Sequence, residues 1–396
     1  MRAHLGIAIT ISISVSGCSA SYQSVAPYGS APAPQMRAAS DVRPNTGGSF
    51  TVLHTFRGRT PHGSLVALNG AFYGAAGNAV FEIAPTGGYR EIHRFRGRVE
   101  SNPALLLTDG QALYGTTTNT VFRLTPDGTK TTLYEVPRRV HFAFNWIPPT
   151  LVAVHGHLYG MIEQGGAQHN GKIVEIMPNR TLRTIYSFID NGVDGGMIWL
   201  NDRFYGTLTG GTGSYAYGII FSLTRGGVES DLARVSAGSR GSLLAPVPYD
   251  GSLFVASSAG GNASCDPSFP TGCGLVYKVQ LPNTATPSYT FNGKPDGAFP
   301  SGAPVVMNGS LYGTTSSGGN GPCGEASYQG CGTIYELTAS GLESVVYSFG
   351  NGTDGEHPFA LTAVNGSLFG FSLLRNSSSV DSGGVLFEFT PGASGS

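Results

Sequence analysis

The chain has 396 residues, 40% of them hydrophobic, so it can bury a sizeable core. Charged residues make up only 12%, about half the usual share of ~25%, and the formal net charge is -1. That balance excludes a general affinity for nucleic acid. With 59 glycines it points to an all-β extracytoplasmic protein whose surface is polar through Ser, Thr, Asn and Gly.

The chain opens MRAHLGIAITISISVSGC. Arg2 precedes an apolar run from Leu5 to Val15, which is too short for a permanent membrane helix and suits the core of a signal peptide. The run ends in Val15-Ser16-Gly17-Cys18, which resembles the bacterial lipobox. The resemblance implies cleavage after residues 1–17 and a lipid on the Cys18 thiol. Ser19, rather than Asp, follows the cysteine; in two-membrane bacteria that implies sorting to the outer membrane. Residues 18–48 are rich in Ala, Ser and Pro without apolar periodicity, and read as a disordered tether.

From Ser49 the chain cycles through four short strand-like pieces. The first cycle reads TVLHTF, SLVALNG, AFYGAA and AVFEIAPTGG; the sixth reads SYTF, APVVMNG, SLYGTT and TIYELTASG. A marker aromatic, usually followed by glycine, returns at Tyr73, Tyr114, Tyr159, Tyr205, Phe254, Tyr312 and Phe369. Just before it stand Asn69-Gly70, Asp109-Gly110, His155-Gly156, Asn201-Asp202, Asp250-Gly251, Asn308-Gly309 and Asn365-Gly366. Such pairs accept the positive φ that two-residue type I′ hairpins demand. Antiparallel four-stranded meanders repeated this way predict a seven-bladed β-propeller over 49–392, with 393–396 as a tail. In each blade the LV strand is innermost, followed by LYG, then VFEL, with the TVLYSF-like strand outermost. The seventh cycle lacks its outermost strand and the first begins with an unpartnered one. Thr51–Phe56 is therefore expected to close the ring beside residues 385–390. The marker aromatic should pack between blades, and its glycine should admit an aromatic from the facing strand.

The string LYGTTSSGG…GTIYELTASG…VVYSFG…TDG resembles the bacterial GloVer-type repeat family, glycine-rich repeats of extracytoplasmic proteins. The resemblance covers about 49–391. It is clearest in cycles six and seven and weaker in three and five, where Phe254-Val255 replaces Tyr-Gly. It implies the propeller architecture and carries no common activity.

Beyond Cys18, four cysteines form two C-x7-C pairs, Cys265/Cys273 and Cys323/Cys331, each before the third strand of its blade. The spacing is looser than that of zinc sites and suits two local disulfides, each worth roughly 2.6 kcal/mol by chain entropy. Pairing across the two blades stays open. The loop after the marker glycine is short in cycle one (Gly74 to Val80) and long in cycle six (Gly313 to Ile334), so one rim of the wheel is uneven. Blade-to-blade loops carry Arg57, Arg59, His62, Arg96, Arg98, Arg138, Arg139 and His141 early in the chain. Later loops carry Asp190, Asp194, Asp296, Asp354 and Glu356. The six arginines form a candidate electropositive sector for an anionic group such as an acidic sugar; a solvated charged rim is the plainer reading. The repeated Asp-Gly pairs read as turns, because no D-x-D-x-D calcium ladder accompanies them. The imidazoles of His155 and His157, at a hairpin turn, are expected in solvent. No catalytic motif, metal set or cofactor signature is present, and the innermost strands supply no titratable side chains. The sequence therefore predicts a monomeric, lipid-anchored binding or scaffold module whose partner is an envelope protein or acidic glycan. The alternatives are a glycan lyase or hydrolase with its site at the channel mouth, and an inert surface layer.

Overall fold

The structure, a computed structural model, describes residues 48–392 apart from 85–87, 97–100, 136–150, 163–165, 167–169, 190–191, 194, 211–216, 237–240, 263–264, 266–270, 324–329 and 375–382. The signal peptide, Cys18, the tether and the tail lie outside the described residues, as do Arg98, Arg138, Arg139, His141, Asp190 and Asp194.

Seven antiparallel sheets follow one another along the chain. Blade 1 runs Pro61–Leu68, Ala71–Ala76, Ala79–Ile83 and Tyr89–Arg94 from the axis outward. Blades 2 to 6 repeat this order, and the first strands of most neighbouring blades lie against one another around the axis. In blade 7 the order is Glu356–Val364, Ser367–Leu373, Gly383–Thr390 and then Ser49–Arg57. The last strand pairs with Thr51 opposite Glu388 and Phe56 opposite Gly384, so the ring closes as the repeat predicts.

Alternation along each strand sends side chains to both faces of a blade, and each face meets a neighbour. The core accordingly divides into seven apolar clusters, one per seam between blades. Each cluster contains one marker aromatic: Tyr73 between blades 1 and 2, Tyr205 between 4 and 5, Phe369 between 7 and 1. Among the described residues, the seam between blades 2 and 3 buries Ala112, Tyr114, Leu151 and Ile176.

The marker glycine has the expected partner. It lies directly opposite the aromatic of the third strand: Gly74 opposite Phe81, Gly115 opposite Phe122, Gly206 opposite Phe221, Gly313 opposite Tyr335, Gly370 opposite Phe387. A Cβ on any of the five would come within 2.2 to 2.7 Å of that ring. The ring fills the space the missing side chain leaves.

Six of the seven inner hairpins turn as predicted, with Asn69 and Gly70 at φ 53° and 77° and Asn308 and Gly309 at 49° and 79°. Blade 2 differs. Only Gly110 has positive φ, and the Asp109 carboxylate instead accepts the backbone N–H groups of Gln111 and Ala112. Blades 5 and 6 also depart from the plain pattern. The inner strand of blade 5 shrinks to Val247–Tyr249, and that of blade 6 is split into Gly297–Pro300 and Val305–Met307.

One regularity was not anticipated. Every outermost strand carries an extra residue at the same place, so that Val80 faces His93 but Phe81 faces Glu91, and Val52 to His54 span consecutive partners. The same shift occurs in blades 2 to 6. Such bulges twist a strand and blunt the edge it would otherwise offer to another chain. The extra residue's carbonyl turns toward the following blade: Ile92 O lies 2.3 Å and Ile185 O 2.6 Å from where a Cβ on Gly128 or Gly227 would stand. Only glycine fits at those two turns, on steric grounds and by positive φ alike.

Candidate functional site

The connections between second and third strands and those between blades emerge on one face of the wheel. Over blades 5 and 6 this face carries its two long, cross-linked loops, residues 258–274 and 319–332. Cys265 is bonded to Cys273 and Cys323 to Cys331, with Cα atoms 6.0 and 5.7 Å apart, so the pairing is within each loop.

Each clamped loop is also fastened to the next blade. The Cys273 carbonyl accepts the Phe299 N–H at 2.7 Å, and the Cys331 carbonyl accepts that of His357 at 2.8 Å. Phe299 and His357 both precede prolines and both have positive φ, 60° and 51°, a combination that side chain and proline alike disfavour. The prolines explain the geometry. Pro300 Cδ lies 2.5 Å from the Cβ position of Gly274 and Pro358 Cδ 2.5 Å from that of Gly332, so each glycine after a cysteine makes room for the next blade's ring. Pro61 occupies the same place over Gly384, where blade 7 has no cysteines.

Two of the acidic residues expected on the rim, Asp296 and Asp354, are buried instead, only 5% and 3% exposed. Asp354 accepts the Tyr347 hydroxyl at 2.8 Å and the Gly350 N–H at 3.3 Å. Asp296 accepts the Tyr289 hydroxyl at 2.8 Å, the Asn292 N–H at 2.9 Å and the Gly297 N–H at 2.5 Å. Each carboxylate thus staples a blade-to-blade loop to the strand before it. Burial pushes Asp296 above the ordinary carboxylate range despite these donors. The signal was in the sequence: a tyrosine seven residues ahead of Asp-Gly, twice.

Three arginines of the candidate sector lie among the described residues. Arg57 and Arg96 are exposed at the ends of the outermost strands of blades 7 and 1. Arg59 turns onto the outermost strand of blade 1, its Nη1 2.9 Å from Glu91 Oε2. Against the cost of burial, bonds from Arg59 and Arg94 hold Glu91 below its usual range. His62 is turned inward, 3.1 Å from the Gly77 carbonyl, and burial lowers its pKa.

His157 keeps the solvent exposure expected of it, its side chain 43% exposed, but is also partnered. Its Nδ1 is bonded to Glu175, a carboxylate that is almost fully buried and that Arg183 holds from the other side. Among the described residues no three His, Cys, Asp or Glu side chains converge on a point that could hold a metal ion.

The architecture defines a class, the closed seven-bladed β-propeller built from one glycine-rich repeat. A model of the Gloeobacter/Verrucomicrobia repeat matches residues 118–325, just over half of the sequence, and the chain belongs to that repeat family. No curated protein matches it. Among solved structures it is similar to the extracellular domain of a hybrid two-component system from B. thetaiotaomicron, with TM-score 0.54 and 10% identity over 86% of this chain and 39% of that one. It is similar also to puromycin hydrolase, with TM-score 0.53 and 13% identity over 80% of this chain and 50% of that one. The chain therefore spans half or less of these proteins, and at such identities the likeness is one of fold.

Proposed function

We propose that the protein is a lipid-anchored, extracytoplasmic binding module of the bacterial cell envelope that presents the clamped loops of blades 5 and 6 to an envelope component. The observation that carries the reading is the double fastening of those loops, each closed by a disulfide and tied by a backbone hydrogen bond to the next blade. Fastening a loop at its ends to a rigid scaffold lowers the entropy cost of binding through it. Two disulfides suit an oxidising compartment, and the lipobox-like Val15–Cys18 supplies the anchor, with Ser19 favouring the outer membrane. Binding is preferred to catalysis because the apolar segments of the innermost strands, such as 64–68 and 360–364, carry no titratable side chain.

Two experiments test this. Cells expressing the protein are fed a clickable fatty acid, and label should enter the wild type but not Cys18→Ser. The chain without residues 1–18 is immobilised and exposed to envelope extract and to acidic polysaccharide. Retention of one component, lost when 258–274 and 319–332 are replaced by short Gly-Asn turns, supports the module. Absence of retention, or cleavage of the polysaccharide, overturns it.

A further inference from the structure

Neighbouring outermost strands touch at one recurring point, where the ring near the end of one strand meets the first residues of the next. Tyr347 stacks on Phe50 at 4.4 Å and His54 on Tyr89 at 4.2 Å. Two seams place a carboxyl group there instead. Between blades 3 and 4 the Tyr186 hydroxyl meets Glu229 Oε2 at 3.3 Å. Between blades 5 and 6 Tyr289 meets Glu343.

A count of donors fixes the state of Glu343. The single hydroxyl proton of Tyr289 goes to Asp296 at 2.8 Å. Asp296 also collects the Asn292 and Gly297 amides, so it is satisfied as an anion. Glu343 Oε1 is closed off from water and has no partner, and the buried Tyr335 hydroxyl has none either. The groups acting on Glu343 are Tyr289 and Asp296 across the seam and Tyr335 within its own sheet, with no cation among them. An ionised Glu343 would be a second negative charge beside Asp296, with only the Tyr289 hydroxyl, already given to Asp296, to meet it. Burial first, and Asp296 second, accordingly push its pKa well above the usual value. Glu229 faces Tyr186, Asp231 and Arg234; burial, reinforced by Asp231, pushes it up to about 7.

We propose that the seam between blades 5 and 6 is a proton-operated latch, closed while Glu343 is a neutral acid and loosened when it loses its proton. The seam of blade 5 leads to the clamped loop. Asp296 holds Asn292, and the Asn292 side-chain oxygen accepts from the Asn262 side chain at 3.1 Å, three residues before Cys265. Ionising Glu343 therefore disturbs the staple that positions the loop, so pH sets how the loop is presented. This last step rests on the binding reading; the latch itself does not.

The sign follows from linkage. A native carboxyl group with a raised pKa keeps its proton where the unfolded chain, at about 4.3, has lost it. Stability therefore falls as pH rises from about 5 through the native values, and is unaffected below the unfolded one.

The test uses the oxidised chain without residues 1–18, which keeps every described residue. Melting temperature and amide exchange, corrected for intrinsic rate, are followed from pH 5 to 8.5. The wild type should lose melting temperature across that range and lose about tenfold protection at Asn292 and Gly297. Glu343→Gln should keep protection at those amides and reduce the melting-temperature change. Infrared spectra at neutral pH should show a buried carboxylic-acid band that Glu343→Gln removes, a readout that packing alone does not move. It is also available from the wild type if the variant does not fold. Equal pH slopes in wild type and variant, or no acid band, would overturn the latch. So would stabilisation by millimolar calcium that requires Glu343, because the carboxylate would then be an ion ligand. None of these readouts needs a ligand, so failure of the latch and failure of the binding reading are distinguishable.

Discussion

Replacing Gly206 with alanine tests the packing rule that repeats around the wheel. The new Cβ would stand 2.4 and 2.7 Å from two ring carbons of Phe221 and 3.1 Å from the Gly196 carbonyl oxygen. Carbon atoms normally rest ~3.5–4.0 Å apart. Phe221 is fully buried and held edge-on by Phe188 at 5.4 Å, so its ring cannot swing clear without displacing the seam between blades 3 and 4. Overpacking of this kind costs about 1–3 kcal/mol. With contacts on two sides Gly206 belongs at the upper end, and alanine returns about 0.4–1 kcal/mol by restricting the unfolded chain. The net loss is about 2 kcal/mol, measurable from the denaturant midpoint at constant slope. At the usual unfolding entropy per residue, about 1.5 °C is lost per kcal/mol in a protein of this size, so calorimetry should register a fall of about 3 °C. Phe221→Leu removes the ring, and in that background Gly206→Ala should cost less than half as much. Gly160 faces Val174 rather than a ring, so Gly160→Ala should be milder than Gly206→Ala. A loss below about 0.5 kcal/mol at Gly206, or strict additivity with Phe221→Leu, would refute the ring-over-glycine account.

Three further outcomes are expected. Cys265→Ser with Cys273→Ser should lower stability by roughly 2.6 kcal/mol, and reductant should cost the wild type more than the variant, which keeps only Cys323–Cys331 to be reduced. Asp354→Asn turns an amide N–H group toward one of its present donors, Tyr347, Asn351 or Gly350, and should cost about 1–3 kcal/mol in chemical denaturation. Deleting residues 49–57 strips the outer edge from Gly383–Thr390 and removes Phe56 from its seam. That variant should self-associate on size exclusion, and an added peptide of residues 49–57 should restore the monomer.

The architecture was legible because its signals are local and repeated. Asn308-Gly309 and its counterparts fix hairpins by φ alone, and Gly313 opposite Tyr335 is a steric pair visible as spacing. Blade 2 escaped the rule because the Asp109 side chain caps the turn itself, a competing use that the dipeptide does not reveal. The bulges were illegible because an extra residue in the outermost strand, Ile92 or Val346, changes no hydrophobic pattern on a half-exposed edge. At the candidate site, the disulfide spacing was read correctly, while Asp296 and Asp354 were placed on a rim they do not occupy. Asp296 looked like a turn residue on a solvated rim, and only the folded loop brings Tyr289 across it. Arg59 looked available to a ligand, and only the outermost strand of blade 1 brings Glu91 beneath it. Long-range pairings of this sort leave no periodic trace.

The strand Ser49–Arg57 has one more consequence, for biosynthesis. It is made early, yet its partner, Gly383–Thr390, is made more than three hundred residues later. Until that partner emerges, the early strand has nothing to hydrogen-bond, and the two flanks of the wheel stay apart. Ring closure must therefore wait for residues 383–390, and closure over so long a separation is slow. A translation product that stops before Gly383 can never shut its ring. The topology thereby discriminates finished chains from unfinished ones and leaves the latter open to proteolysis.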